Sequence, residues 1–343
     1  MKLHEYVIRR LFLMILVLLG VTIFTFYLSR VVLNPVAAYV SERTKPEMIP
    51  LIKHRLGLDQ PFYVQYAIYL WDLVTLDLGW SRVAHMPVIE GLMYRFPATV
   101  ELAIFAFILT VGLGVPLGIL SALKNNKLTD HIIRIIALTG ISIPVFWLAL
   151  TLQYSLSYWT KINGLFSLPS SGRVDAVLLQ YYPVNRMTGF MILDSLVQGN
   201  LVMAGDAFLH LILPAITLSF ISIGTITRVA RSSMMEVMRQ DYMSTARAYG
   251  LPERIVIYRY ALKNAMIPVA TVSGLLFGGL LAGALITETI FAFPGMGQLT
   301  VLAISSNDSN TIMAFTVLAA FIYVFINLIV DVLYAWLDPR IKY

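Results

Sequence analysis

Long apolar runs alternate with short charged segments along this chain. A membrane span needs about 20 consecutive apolar residues at roughly 1.5 Å per residue. Six runs without Asp, Glu, Lys or Arg reach that length: 11–29, 102–123, 135–160, 207–227, 264–287 and 309–330. We therefore expect an all-α integral membrane protein with six transmembrane helices, kinked where Pro144 and Pro214 interrupt a run.

A seventh uncharged run, 289–307, contains Pro294, Gly295 and Gly297 near its start. Irregular backbone exposed to lipid would leave its polar groups without hydrogen bonds. The pattern therefore predicts an interfacial or re-entrant connection, and not a seventh span.

Composition supports a bilayer as the solvent of this chain. Of its 343 residues, 58% are hydrophobic and only 13% are charged, whereas soluble domains carry about 25% charged residues. The net charge of +6 is concentrated in a few loops, which is a signal of membrane topology and not of nucleic-acid binding. The absence of cysteine excludes disulfides and thiolate metal sites. The first run is longer than the core of a signal peptide, so it is expected to stay in the protein.

The positions of Lys and Arg predict the orientation. If the N-terminus is cytoplasmic, segments 1–10, 124–134 and 228–263 carry three, three and seven Lys or Arg on the cytoplasmic side. Both termini are therefore predicted to be cytoplasmic. The chain then divides into 1–29, an N-terminal cytoplasmic segment with the first span, 30–101, an external subdomain, and 102–343, a core of five spans with a cytoplasmic loop at 228–263.

The predicted external subdomain is rich in aromatic residues. They are Tyr39, Phe62, Tyr63, Tyr66, Tyr69, Trp71 and Trp80. Amphipathic rings serve equally well in a belt at the lipid headgroups and in a docking platform for an external partner. The residues alone leave both interpretations open.

The cytoplasmic loop is the most informative segment of the chain. It is basic and helix-prone, and it is divided by Gly250, Leu251 and Pro252. Glycine commonly ends a helix and proline commonly begins one. The loop therefore predicts two helical pieces joined by a hinge, a shape suited to contact with a cytoplasmic partner.

Small residues repeat in the fifth run, in two overlapping registers of four: Gly274 with Gly278, and Gly279 with Gly283. Such spacing allows close approach of two helices. It indicates either close packing within one chain or a pathway shared with a second membrane subunit. Glu288 and Phe291 follow at the end of this run and are further candidates for the pathway or its gate, although interfacial placement is the simpler expectation for a carboxylate near a span end.

Motifs for chemistry are missing from the sequence. No phosphate-binding loop, G-x-S-x-G or H-E-x-x-H occurs, and the five histidines lack metal-ligand spacing. We expect no catalytic residue, no metal and no cofactor on this chain. A passive channel and an intramembrane enzyme remain alternatives, but a polar pore ring or paired catalytic groups inside spans are not visible.

The chain resembles a permease of the ATP-binding-cassette importers, in the dipeptide/oligopeptide/nickel branch. The segments that carry the resemblance, in order, are LGLDQPFYVQY (56–66), LDLGWS (76–81), RFPATVELA (95–103), GVPLGILSA (114–122), SIPVFWLAL (142–150), HLILPAITL (210–218), ETIFAFPGMG (288–297) and LDPRIKY (337–343). The cytoplasmic loop is similar to the family's coupling motif, with T-A-R-A-x-G-L at 245–251 and L-x-N-A-x-x-P at 262–268. It lacks the acidic residue and the final proline of the general form.

The resemblance implies a mechanism and a set of partners. It implies an importer-type helix bundle in the cytoplasmic membrane, a second homologous permease, two cytoplasmic ATPases that carry ATP and Mg²⁺, and an external solute-binding protein. The cargo would be peptides or short oligomeric solutes, including oligosaccharides. The implied ATPase-coupling residues are Ser244, Thr245, Ala246, Arg247, Gly250, Leu251 and Pro252. We expect Ala246 to face the ATPase and Gly250 to close the helix with a positive φ.

Overall fold

The computed structural model describes residues 3–31, 36, 40 and 45–337. Most of the C-terminal LDPRIKY segment and part of the predicted external subdomain therefore lie outside the described residues. The helices and strands are α1 (Leu3–Val31), α2 (Met48–Arg55), α3 (Phe62–Thr75), β1 (Trp80–Ser81), β2 (Met86–Pro87), α4 (Val88–Leu123), α5 (Leu128–Ser142), α6 (Val145–Gln153), α7 (Thr160–Ile162), α8 (Ala176–Tyr181), α9 (Met191–Val197), α10 (Leu201–Met238), α11 (Asp241–Ala248), α12 (Glu253–Ile255), α13 (Leu262–Gly283), α14 (Leu285–Ile290), α15 (Met296–Ser305) and α16 (Ser309–Leu337). Wider π-helical turns at Tyr154–Trp159 and Val256–Ala261 join α6 to α7 and α12 to α13.

The predicted all-α membrane fold is confirmed. Five described helices are long and apolar enough to cross a bilayer, and a bent helix pair brings the number to six. Helices α4 and α10 exceed their predicted runs by the most, with 36 and 38 residues. At about 1.5 Å per residue each is longer than a hydrocarbon core of roughly 30 Å. Both therefore continue beyond the bilayer, and α4 begins within the segment predicted as a separate external subdomain.

The segment predicted as the third span is a helix pair with a sharp bend before Pro144, where the sequence predicts only a kink. The chain bends by 102° between helix α5 and the helical segment 145–162. Ile143 is extended, with ψ 127°, and Pro144 precedes α6 with ψ 132°. Proline disfavours a helical conformation in the residue before it, so the chain leaves the helix at Ile143.

The fifth span ends earlier than predicted. Helix α13 stops at Gly283, and residues to Thr287, predicted within the span, belong to the separate short helix α14. A turn at 291–295 leads to α15, which is apolar but too short to span a membrane. The predicted break at Pro294 and Gly295 is confirmed.

Helices α4 and α10 form the centre of the bundle. Their contact depends on Gly114 and Gly118: a Cβ on Gly114 would lie 2.9 Å from Ile226, and one on Gly118 would lie 2.6 Å from Ala230. Such distances are too short for two carbon atoms, so the contact requires glycine at both positions. The buried side chains of Val115, Ile226, Ala230 and Val269 continue this core toward α13.

Buried carboxylates attach the irregular segments to the bundle. Asp308 is fully buried and accepts hydrogen bonds from the Ser81 hydroxyl at 2.9 Å, the Arg82 amide at 2.8 Å and the Thr311 hydroxyl at 2.8 Å. It thereby fixes the β1–β2 hairpin to the start of α16. Glu101 of α4 likewise pairs with Arg173 and accepts the Ile192 amide at 3.0 Å. Each buried charge is compensated, as burial requires.

Candidate functional site

The predicted coupling element is a short, separate helix. Helix α11 covers Asp241–Ala248, with an acidic residue in its first turn and Arg247 in its last, which suits the helix dipole. Gly250 follows with φ +73°, and no heavy atom lies within 4 Å of where its Cβ would be. The positive φ predicted for Gly250 is therefore confirmed. Backbone conformation, and not lack of space, accounts for glycine at this position.

One face of α11 packs against the chain itself. Met243 is fully buried and Ala246 is 6% exposed. They contact a buried apolar cluster formed with Met234, Val256, Ala261 and Ala265. The expectation that Ala246 faces a partner is therefore wrong: Ala246 is part of the surface that attaches α11 to α10 and to the start of α13. A large charged residue at position 246 would disrupt the packing of α11 against α10 and α13, whether or not a partner protein is bound.

The opposite face of α11 is available for contact. Ser244, Thr245 and Ala248 are exposed on it. Tyr249, at the end of the helix, is 83% exposed. Tyrosine and other aromatic side chains are enriched among residues that dominate the energy of protein interfaces. We call this face the α11 outer face; apart from Tyr249, the side chains named on it are small.

The remaining residues of the predicted coupling set shape the hinge. Arg247 donates from Nη2 to Glu253 Oε1 at 3.0 Å, which links α11 to α12 across the glycine turn. The hydrogen bond to Glu253 raises the pKa of Arg247. Leu251 packs beside the buried cluster, and exposed Pro252 directly precedes α12. The structure thus brings all seven predicted coupling residues into one helix–turn–helix element.

A buried ion pair supports this element, and sequence reasoning did not find it. Asp130 is fully buried, and Arg231 of α10 donates to it from Nε and Nη2, both at 2.8 Å. The Ser121 hydroxyl and the Asn126 amide also donate to Asp130. The pair fixes the α4–α5 turn to α10 ahead of α11. Because Asp130 and Arg231 are 101 positions apart, no local sequence pattern indicates that they pair. The only hint in the sequence is an isolated Asp close to a predicted span.

The glycine registers of α13 divide into two groups. A Cβ on Gly274 would collide with Val330, and one on Gly278 would lie 3.3 Å from Tyr323, so both glycines pack against α16 of the same chain. Gly279 instead has no neighbour within 4 Å of its Cβ position. Gly283 is the last residue of α13. The first register thus packs α13 against α16 within the chain, while Gly279 lies on an open face.

Glu288 and Phe291 are enclosed within the protein, and they do not line a cavity that the structure describes. Glu288 is fully buried. Its carboxylate accepts the Thr99 hydroxyl at 2.7 Å and the Gln298 amide at 3.0 Å, close to the N-terminus of α15. Phe291 is 1% exposed and packs with Ala149 and Leu213. Protein groups, and not solvent, therefore satisfy the Glu288 carboxylate.

The site around Glu288 explains its neighbouring glycines. A side chain on Gly295 would overlap the Glu288 carboxylate, and one on Gly297 would lie 2.8 Å from Leu285. Helix α14 lies outside the candidate spans. Burial raises the pKa of Glu288 to about 7, although its hydrogen bonds from Thr99 and from α15 favour the ionised form.

Within residues 3–31, 36, 40 and 45–337, no group of three or more His, Asp or Glu side chains is arranged to hold a metal ion. The polar networks described above connect protein segments to each other. They do not converge on a cavity in the way that a catalytic site requires.

The described chain is a bundle of long apolar helices, with the short helix α11 lying between two of the candidate spans. Residues 114–343 match the family of binding-protein-dependent transport system inner membrane components. Residues 3–103 match the N-terminal region of the membrane components of such systems. The chain belongs to this family. It is a multi-pass inner membrane protein and a transport subunit, not an enzyme, and membership is consistent with a chain that binds no cofactor of its own.

Relatives match over almost the whole chain. The probable D,D-dipeptide transport system permease protein DdpB of Escherichia coli K12 is 46% identical over 96% of this chain and 94% of its own length. The dipeptide transport system permease protein DppB of Alkalihalophilus pseudofirmus is 43% identical over 98% of this chain and 99% of its own. The di/tripeptide permease DppB of Pseudomonas aeruginosa is 41% identical over 99% of both.

A solved structure supports the fold. An inward-facing structure of the MetNI methionine ABC transporter matches with a TM-score of 0.50 and 12% identity, covering 73% of this chain and 97% of that one. At this identity the likeness concerns the fold alone. The family establishes the chain as the permease of a binding-protein-dependent transport system, a class that in general also comprises a second permease, an ATPase and a solute-binding protein.

Proposed function

We propose that this chain is one of two permeases of an ATP-driven importer for dipeptides and other short peptides. The observation that carries the proposal is the match, over nearly the whole length of both proteins, to permeases named for dipeptide, D,D-dipeptide and di/tripeptide transport. Short oligosaccharides, also expected from the family resemblance, have no counterpart among these three relatives. A solute-binding protein would deliver the peptide, and the two permeases would form its pathway.

Coupling to ATP is assigned to α11. Its inner face, with Met243 and Ala246, attaches it to the bundle, and its outer face, with Thr245 and Tyr249, would fit a groove of a cytoplasmic ATPase. ATP and Mg²⁺ would bind to two such ATPases, because this chain has no phosphate-binding loop. A short helix attached at one face and limited by Gly250 would transmit a displacement as a rigid body.

The second permease would meet the open face of α13. Gly279 and Gly283 lie four residues apart on this helix, and the exposed side chain of Leu275 lies one turn earlier. Gly274 and Gly278 would instead maintain the packing with α16. The pathway function of Glu288 and Phe291 is replaced in this proposal by a structural function, since both are enclosed.

The proposed topology places both termini and segment 228–263 in the cytoplasm and the segment 30–101 outside. The Lys and Arg distribution supports it. Because the chain contains no cysteine, single cysteines report the topology without background. Ser171→Cys in intact cells is expected to react with a membrane-impermeant thiol reagent, and Ser232→Cys to react only after the membrane is opened. The reverse labelling pattern would invert the topology.

The proposed function is tested by uptake. The complete importer is expressed in a host that lacks its own peptide permeases and requires an amino acid for growth. A dipeptide that contains this amino acid is expected to restore growth, and radiolabelled dipeptide is expected to accumulate only when ATP is available. Accumulation of a labelled oligosaccharide, with no uptake of any dipeptide or tripeptide, would overturn the peptide assignment.

A further inference from the structure

Helix α3 presents an uncharged, exposed stripe. Tyr63 is 76% exposed, Trp71 68% and Val74 78%, and Ala67 is exposed between them. At 3.6 residues per turn these positions fall on one side of the helix. Large apolar side chains exposed together mark a surface that is covered in the working protein.

The polar groups of α3 point elsewhere. Asp72 is its one charged residue and lines a cavity of about 530 Å³ that also contains Arg30 and Asn310. Gln65 is buried and donates to the carbonyls of Leu58 and Gln60. The helix is therefore amphipathic: its polar side chains lie on the side that packs against the protein, and the exposed apolar stripe lies on the other.

Contacts with α1 give the depth of this stripe. The hydroxyls of Tyr66 and Tyr69 hydrogen-bond to those of Thr22 and Thr25, at 2.9 Å and 3.1 Å. The candidate span formed by α1 ends at Arg30. Thr22 and Thr25 thus lie roughly 12 and 8 Å inside the end of the span, at about 1.5 Å per residue. An amphipathic helix in a membrane interface is buried to a depth of about 5–10 Å.

Helix α1 also has an exposed apolar surface, which a bilayer around this candidate span would cover. On α1, Leu19, Ile23 and Tyr27 are 39%, 56% and 58% exposed along the same part of the span. A water-soluble partner cannot reach side chains at this depth, because the acyl chains around α1 stand in its way. Aromatic residues with one polar end, as in Tyr63 and Trp71, are the residues that favour the headgroup region.

We propose that α3 lies in the bilayer, in the leaflet next to the Arg30 end of α1, with Tyr63, Trp71 and Val74 in contact with lipid. This helix anchors the segment between α1 and the β1–β2 hairpin to the membrane. Of the two interpretations of the aromatic residues in this segment, the proposal selects the lipid belt over the protein-docking platform for α3.

Spin labels on single cysteines in the complete importer test the proposal, in nanodiscs of phosphatidylethanolamine and phosphatidylglycerol. The variants are Tyr63→Cys, Trp71→Cys and Val74→Cys, with Leu16→Cys on α1 as the lipid control and Ser171→Cys as the water control. Oxygen accumulates in acyl chains, whereas a nickel chelate stays in water. The three α3 labels are expected to match Leu16 in the ratio of oxygen to nickel accessibility; a ratio equal to that at Ser171 overturns the proposal.

A second measurement, of tryptophan fluorescence, tests the proposal without a spin label on α3. Lipids brominated on their acyl chains are expected to quench less of the total fluorescence in Trp71→Phe than in the wild type, because Trp71 contributes to the quenched fraction. An equal quenched fraction in both proteins would contradict the proposal. So would protection of the three α3 labels from the nickel chelate only after a solute-binding protein is added, because that result would identify a protein as the occupant.

Discussion

The turn around Glu288 and the helix α11 are built in opposite ways. The turn is enclosed: Glu288 and Phe293 are fully buried, and Thr99 from α4 donates to the carboxylate while accepting the Met296 amide at 2.9 Å. Helix α11 has eight residues, of which only Met243 and Ala246 are buried. One region is fixed from all sides, and the other is held by a single face.

The difference teaches where movement and contact are to be expected. A segment with few buried side chains opens and shifts at lower free energy than one enclosed in the core. The turn around Glu288 uses glycines to bring backbone close to a carboxylate, whereas Gly250 ends α11 in open surroundings. We infer that the turn around Glu288 maintains the shape of the bundle and that α11 contacts the ATPase.

The largest expected effect concerns the buried Asp130–Arg231 ion pair, which fixes the α4–α5 turn to α10 ahead of α11. Arg231→Ala leaves the buried Asp130 carboxylate without its charged partner. Loss of one member of a buried pair costs about 3–5 kcal/mol, so the purified protein is expected to unfold at a markedly lower temperature. Arg239→Ala, an exposed change next to the end of α10, is the matched control, with an effect within about 0.5 kcal/mol. Equal unfolding temperatures for Arg231→Ala and Arg239→Ala would mean that the ion pair contributes nothing to the stability of the folded protein.

The next effect is a pH dependence that belongs to the enclosed region. The pKa of Glu288 is about 7 in the folded protein, above the ordinary value of about 4.3. The folded state therefore binds the proton more tightly. The stabilisation that this proton contributes is complete below about pH 4 and is lost as the pH rises through 7, by about 4 kcal/mol in total. Unfolding temperatures measured from pH 5 to 8 should fall more steeply for the wild type than for Glu288→Gln; parallel curves would refute this.

A smaller effect is expected at the hinge of α11. Gly250→Val forces a branched side chain into a left-handed conformation at a cost of about 1–2 kcal/mol. The α11 outer face should then be displaced, with loss of ATPase copurification and of uptake while the protein remains in the membrane. Gly250→Asn is the control, since asparagine tolerates positive φ. The hinge explanation fails if valine and asparagine behave alike.

The sequence predicted the elements that depend on local patterns. Six apolar runs, the break at Pro294 and the positive φ of Gly250 each follow from composition or from one residue's conformational preference. The 102° bend at Pro144 was predicted only as a kink, because its angle depends on what α5 and α6 pack against.

The candidate site was predicted in part. The hinge residues were identified, but the direction of Ala246 was not, although its spacing of three from Met243 is that of a buried helix face. Burial of Glu288 could not be predicted, because its partner Thr99 lies 189 positions earlier. The same limit applies to Asp130 and Arg231. A single sequence carries no signal for pairs that meet only after folding.

The central claim, that the outer face of α11 contacts the ATPase, is tested most directly by a photocrosslink. Benzoylphenylalanine replaces Tyr249 in the complete importer, and in a second protein it replaces Tyr181 of α8, which is 76% exposed. On irradiation we expect a covalent product between this chain and an ATPase subunit from position 249 and none from position 181. An intact importer that gives no ATPase product from position 249, or the same yield from both positions, would contradict the account.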